Sequence, residues 1–85
     1  MLKVSVISPE AVLYEGTTES VVAPAYDGEV GILTGHAPMM ALLGKGVLRL
    51  GGQSGGQRFN VDGGFLQVVD NTVRVVTEYL LPESW

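Results

Sequence analysis

A few short stretches of this 85-residue chain carry residue types and spacings that could do chemistry. Gly52-Gln53-Ser54-Gly55-Gly56 fits the G-x-S-x-G pattern of a serine nucleophile. That pattern works on a strained strand-to-helix turn above a large α/β sheet. Here a strand pattern follows it and the chain is too short for such a sheet, so the stretch reads as a flexible hairpin loop. His36 is the only histidine, so any triad or metal site must include it. A zinc site needs several nitrogen, oxygen or sulfur ligands. The chain has no cysteine, and nothing in the spacing of Asp27 and Glu29 holds them around His36. His36 therefore reads as a loop residue that hydrogen-bonds locally. Gly28-x-x-Gly31 has no following Lys-Ser/Thr and no helix to present its N-terminus to a phosphate. The expectation is no catalytic residue, no cofactor and no metal.

Lys45 stands in Gly44-Lys45-Gly46, a tight turn between apolar strand patterns. Small lipoyl and biotinyl carrier domains are similar to this chain in size and acidity, and they present a lysine for modification in such a turn. Their lysine typically has an acidic residue or Met before it and Ala or Met after it, which the two glycines do not match. A carrier modified on Lys45 stands as the alternative reading, marked by an added lipoyl or biotinyl mass. A generic adhesion-type sandwich is a third, but Met1–Ile7 holds no signal-peptide core.

Composition narrows the classes further. Apolar residues make up 46% of the chain and charged residues only 16%, well below the roughly 25% of an average domain. Disorder is excluded, because disordered chains are poor in apolar residues. The apolar runs fall far short of the roughly 20 residues that span a bilayer. The net charge of −4 argues against a nucleic-acid partner, which lysine and arginine clusters would have to hold. That charge is unevenly placed. In residues 1–35, Lys3 stands alone against Glu10, Glu15, Glu19, Asp27 and Glu29, whereas residues 36–85 balance. The excess apolar surface of so small a body suggests a partner that covers some of it.

The elements that must position these residues read as strands. Leu2–Ile7 alternates and ends before Pro9; Thr18–Ala23 is stopped by Pro24; Gly28–Leu33 follows. Gly35-His36-Ala37-Pro38 is a loop leading into Met39–Leu43. Val47–Leu50, Arg58–Asp62, Phe65–Val69 and Thr72–Glu78 complete the set, with turns at Gly63-Gly64 and Asp70-Asn71. Tyr79–Trp85 has the makings of a helical turn cut short by Pro82. Eight or so short strands with regular turns predict an all-β sandwich or flattened barrel. Val21-Val22 and Val75-Val76 are apolar on both faces, which fits a sheet with part of its outside covered.

Three stretches resemble the epsilon subunit of the F-type ATP synthase, the counterpart of the mitochondrial delta subunit. They are Ser8-Pro9-Glu10; the run Asp27-Gly28-Glu29-Val30-Gly31-Ile32-Leu33-Thr34-Gly35-His36-Ala37-Pro38-Met39; and Val61-Asp62-Gly63-Gly64-Phe65-Leu66-Gln67-Val68 followed by Asn71–Val75. The central run is long and contiguous, similar to the family's G-E-x-G-I-L-x-G-H-A-P signature. The resemblance implies a flattened ten-stranded β-sandwich over residues 1–80, with 81–85 as a short tail. It implies a non-catalytic rotor subunit that binds gamma and sits on the c-subunit ring, contacting the alpha/beta hexamer only indirectly. It places the chain peripherally on the cytoplasmic side of an energy-transducing membrane.

Residue roles follow from the same resemblance. Glu29 corresponds to an acidic position facing the basic polar loops of the c subunits, and His36 to one near both ring and gamma. Ser8 and Ala41 correspond to gamma-facing positions. Gly28, Gly31, Gly35 and Pro38 shape the signature loop. The resemblance departs at Ala23-Pro24-Ala25, where the family often has Val-Pro-Gly, and at Thr77-Glu78-Tyr79. Family members commonly continue into a regulatory helical hairpin, so inhibition or ATP sensing by such a hairpin is not expected of these 85 residues.

Overall fold

Alternation decides which side of each strand is buried. In β1 (Leu2–Ile7), Leu2, Val4 and Val6 are buried while Lys3 points out to solvent. The computed structural model describes residues 1–51, 56–77 and 80–81, and the Gly52-Gln53-Ser54-Gly55 stretch lies outside the described residues. Among the described residues the chain continues through β2 (Val12–Thr18), β3 (Ser20–Ala25), β4 (Gly28–Leu33), β5 (Met39–Leu42) and β6 (Lys45–Leu50). It closes with β7 (Gln57–Asp62), β8 (Phe65–Val69), β9 (Thr72–Val76) and β10 (Leu80–Leu81).

These strands form two five-stranded sheets, ordered β2-β1-β9-β8-β5 and β10-β7-β6-β3-β4. All pairings are antiparallel except β1 with β9. The core lies between the sheets. Leu2, Val4, Val6, Leu66, Val68, Val73 and Val75 of the first sheet share one cluster with Val21, Ala23, Ile32, Leu48, Leu50 and Val61 of the second. Each of these valine, leucine and isoleucine side chains contributes about 1.5–3 kcal/mol relative to exposure. Tyr14 and Phe59 add an edge-to-face pair, with ring centroids 6.0 Å apart, at the margin of this cluster.

Several expectations are corrected by the register. The expected strand from Thr18 breaks at Glu19: Thr18 ends β2 and Ser20 starts β3. Pro24 does not stop β3, which runs on to Ala25. The β3–β6 ladder covers only Val21 and Val22, so the missing Pro24 amide interrupts nothing on that side. Its carbonyl accepts the Gly44 N–H at 2.7 Å. The expected Gly44–Gly46 turn shrinks to Gly44, because Lys45 and Gly46 already pair with Asp62 and Val61. β2 is an addition to the expected set. Its alternation is hidden by the register shift beside Ile7, where Ile7 meets Val12 although Val6 meets Tyr14. Leu80 and Leu81 form β10 against Val61 and Asn60, not a helical turn; the rest of that stretch, 79 and 82–85, lies outside the described residues.

The two ends of the sandwich differ. At one end Tyr26 N–H donates to the Leu42 carbonyl (2.8 Å), Leu43 N–H to Gly64 (2.9 Å) and Gly63 N–H to Gly44 (3.3 Å), tying both sheets together at the β3–β4 turn. At the other end the link is a side chain. Asn71 Oδ1 accepts the Gly35 N–H at 2.7 Å, joining the β8–β9 turn to the loop before β5. Asp70 and Asn71 both have positive φ, at 50° and 60°, as a two-residue I′ hairpin turn requires. Asn71→Ala removes both the acceptor and a residue that tolerates this backbone. The expected loss is about 1–2 kcal/mol, read from denaturant unfolding, with faster hydrogen exchange at the Gly35 amide.

Candidate functional site

Among the described residues no group of three or more His, Cys, Asp or Glu side chains could hold a metal ion, and no helix is long and apolar enough to cross a membrane. The features that remain are surfaces, and the strand register maps them.

The outer face of the first sheet carries an unbroken apolar row. Val12 lies opposite Ile7, Ile7 opposite Val76, Val76 opposite Phe65, and Phe65 opposite Leu42. Residues directly opposite in register point to the same face. Their strand neighbours Val6, Val75 and Leu66 are buried, which directs the row outward. It crosses all five strands, about 19 Å at about 4.8 Å per strand. Its ends are open: Val12 is 57% exposed and Leu42 67%. Met40, two residues from Leu42, is 65% exposed on the same face. The next row, Glu15, Ser5, Arg74, Gln67 and Met40, is mostly polar. An apolar core with a polar border is the layout of a protein–protein contact.

The expected partner residues fall around this row unevenly. Ser8 sits beside its Val12 end, where its hydroxyl accepts the Ala11 N–H (3.2 Å) and the Glu10 N–H (3.4 Å) and closes the β1–β2 turn. Ala41 lies in β5 opposite the fully buried Leu66, so its side chain faces inward. Met40 and Leu42, on either side of it, are the outward residues. His36 is at the Asn71 end, half-buried. Its backbone N–H donates to Leu33 (3.1 Å) and its Nδ1 lies 2.7 Å from the Ala37 carbonyl, the local bonding expected of a loop histidine.

Glu29 stands on the outer face of the second sheet, near the Tyr26 end. Four steps of β4 separate it from Leu33, about 13 Å at about 3.3 Å per residue, so Glu29 and His36 are not brought together. Its carboxylate accepts from Arg49 Nη2 at 3.2 and 3.4 Å, an ion pair between exposed side chains. Arg49 was not among the expected residues; nothing in the linear spacing links it to Glu29. The acidic residues of the first 35 positions do not gather on one surface either. Glu10 and Asp27 occupy turns at the Tyr26 end, Glu19 the opposite end, and Glu15 and Glu29 opposite outer faces. Charge counted along the chain is dispersed because antiparallel strands carry successive segments to alternate ends.

The signature glycines divide in the same way. Gly28 and Gly35 have φ of 136° and 87°, which a side chain would strain. Gly31 lies inside β4 with no positive φ and open space where a Cβ would be, so it shapes no loop. Pro38 is exposed at the end of the loop that leads into β5.

Comparison with known proteins identifies this architecture. The family model for the ATP synthase delta/epsilon chain β-sandwich domain matches residues 1–82. The chain belongs to this family. It is 47% identical over 78 residues to an ATP synthase epsilon chain of Leptospira borgpetersenii, covering 92% of this chain and 61% of that one. It is 46% identical over 77 residues to the epsilon chain of Rhodopirellula baltica, covering 91% of this chain and 60% of that one. The chain thus spans about three fifths of the length of these curated relatives. Among solved structures, a Tetrahymena thermophila mitochondrial ATP synthase central stalk/c-ring chain shares the fold, with TM-score 0.79 at 18% identity over 98% of this chain and 67% of that one. A Euglena gracilis mitochondrial ATP synthase chain does so with TM-score 0.85 at 20% identity, over 95% of this chain and 52% of that one. Within the delta/epsilon family the all-β sandwich reading holds, and the carrier reading on Lys45 finds no support. Lys45 opens a paired strand opposite Asp62 and is not the tip of a turn.

Proposed function

We propose that this chain is a non-catalytic central-stalk subunit of a proton-translocating F-type ATP synthase, which docks gamma through the outer face of its first sheet. The apolar row from Val12 to Leu42 carries the reading. A sheet with one face in water normally alternates apolar-in and polar-out along its strands. A row that is apolar on both sides of its strands is stable in a partner-bound state, where burial recovers about 25 cal/mol per Å² of apolar surface. Ser8 lies at one end of this surface, and Ala41 sets the spacing of Met40 and Leu42 at the other. His36 belongs to a second contact at the far end of the sandwich. Through gamma the subunit meets the alpha/beta hexamer only indirectly, and its place is peripheral, on the cytoplasmic side of the membrane.

Binding to purified gamma tests the assignment: a stable complex is expected, and folded protein that forms none would overturn it. A third proposed contact, apart from that of His36, joins Glu29 to the basic loops of the c ring. Glu29→Arg turns an attraction into like-charge repulsion, and the expected loss of c-ring affinity is about 1–3 kcal/mol. The substitution also removes the Arg49 pair, but an exposed pair is worth only about 0.2–1 kcal/mol, so folding is nearly unaffected. Unchanged ring binding and proton-driven synthesis in that variant would count against the contact.

A further inference from the structure

Glu29 is already engaged within its own chain. Arg49 Nη2 reaches both of its carboxylate oxygens, at 3.2 and 3.4 Å. The register supplies a reason for Arg49 to turn that way. Directly opposite it on β7 is Arg58, and like charges directly opposite repel. On the other side β3 presents Val22, with no charge to hold the guanidinium. Glu29, one strand further, is the only carboxylate of β3 and β4. The outer face of this sheet is therefore not acidic. Lys45, Arg49 and Arg58 share it with Glu29 and Asp62, in a chain whose net charge is −4.

We propose that Arg49 is a built-in competitor for Glu29, a specificity-setting residue that occupies the carboxylate in the free subunit and yields it only to a partner cation. This rests on the reading that Glu29 meets a basic loop. Docking is then an exchange of one ion pair for another. The incoming cation must outbid a guanidinium, so the contact favours a partner arginine, whose planar fork matches a carboxylate, over a lysine. Free of Arg49, the carboxylate is available without exchange and its surroundings lose one positive charge.

The test compares the native chain, Glu29→Gln, Arg49→Ala and the double variant for binding to the gamma–c-ring rotor, at low and high ionic strength. Arg49→Ala is expected to bind about 1.4–5-fold tighter at low salt, the range of an exposed pair converted to affinity, and the gain shrinks at high salt. In the Glu29→Gln background the gain disappears. If Glu29→Gln weakens binding while Arg49→Ala leaves it unchanged or weaker, the competitor role is overturned and the Glu29 contact stands. If the gain persists without the Glu29 carboxylate, Arg49 acts only as a repelling cation and the proposal also fails. If Glu29→Gln binds as the native chain does, the Glu29 contact itself falls, and the proposal with it. Arg49→Lys keeps the charge without the fork and gives an intermediate affinity; it carries the comparison should Arg49→Ala fail to fold.

Discussion

A chain carrying Met40→Glu and Leu42→Glu is expected to unfold at the same denaturant concentration as the native chain and to lose its affinity for gamma by about 100-fold or more. The two halves of this result have different causes. In the free subunit both side chains are more than half exposed on an edge strand, so replacing them touches no buried contact. Surface substitutions of that kind usually change stability by no more than about 0.5 kcal/mol. In the proposed complex they close the Leu42 end of the apolar row. Burying an unpaired carboxylate there costs several kcal/mol, and about 2.7 kcal/mol already corresponds to 100-fold in affinity. Titration of gamma into each protein reads the effect. An unchanged dissociation constant would show that gamma docks elsewhere. A glutamate on the opposite sheet, Val47→Glu at an exposed side chain, offers a control with little effect on gamma.

Gly64→Ala is expected to destabilise the fold by about 3 kcal/mol or more, a large share of the roughly 5–15 kcal/mol that holds a domain folded. Gly64 has φ of 104°, a conformation that side chains rarely adopt. An added Cβ would fall onto the Val76 carbonyl oxygen, which is backbone and cannot rotate away. The surrounding turn has little freedom to adjust. The Gly64 carbonyl accepts from Leu43 N–H at 2.9 Å, and the fully buried Thr77 donates its hydroxyl to Gly63 at 3.3 Å. Urea denaturation measures the loss. Gly31→Ala is the contrast: its Cβ would meet nothing within 4 Å, its φ is ordinary, and stability should change by no more than about 0.5 kcal/mol. Equal effects at the two glycines would refute the distinction.

The inward face of nearly every strand was legible in the sequence. Leu2, Val4 and Val6, or Val73 and Val75, alternate so regularly that period-two reading finds their buried side without a structure. β2 escaped that reading, because the shift beside Ile7 and the presence of Gly16 break its period. β10 escaped it because two residues cannot show a period at all. The apolar row was half legible. Val75-Val76 announced a strand that is apolar on both sides, but not which other residues would line up beside Val76.

The sequence by itself determined an all-β sandwich and a family likeness in the signature run from Asp27 to Met39. Those properties are local: alternation, turn residues and motif order are written within a few positions of each other. Only the tertiary structure decided that Val12, Ile7, Val76, Phe65 and Leu42 form one row, and that Glu29 is held by Arg49, twenty positions away. Both depend on which strand lies beside which, and on their register. A shift of one residue would turn the row inward and separate the ion pair. Register is set by the whole core closing at once, so it is not a property that any one stretch of this chain carries alone.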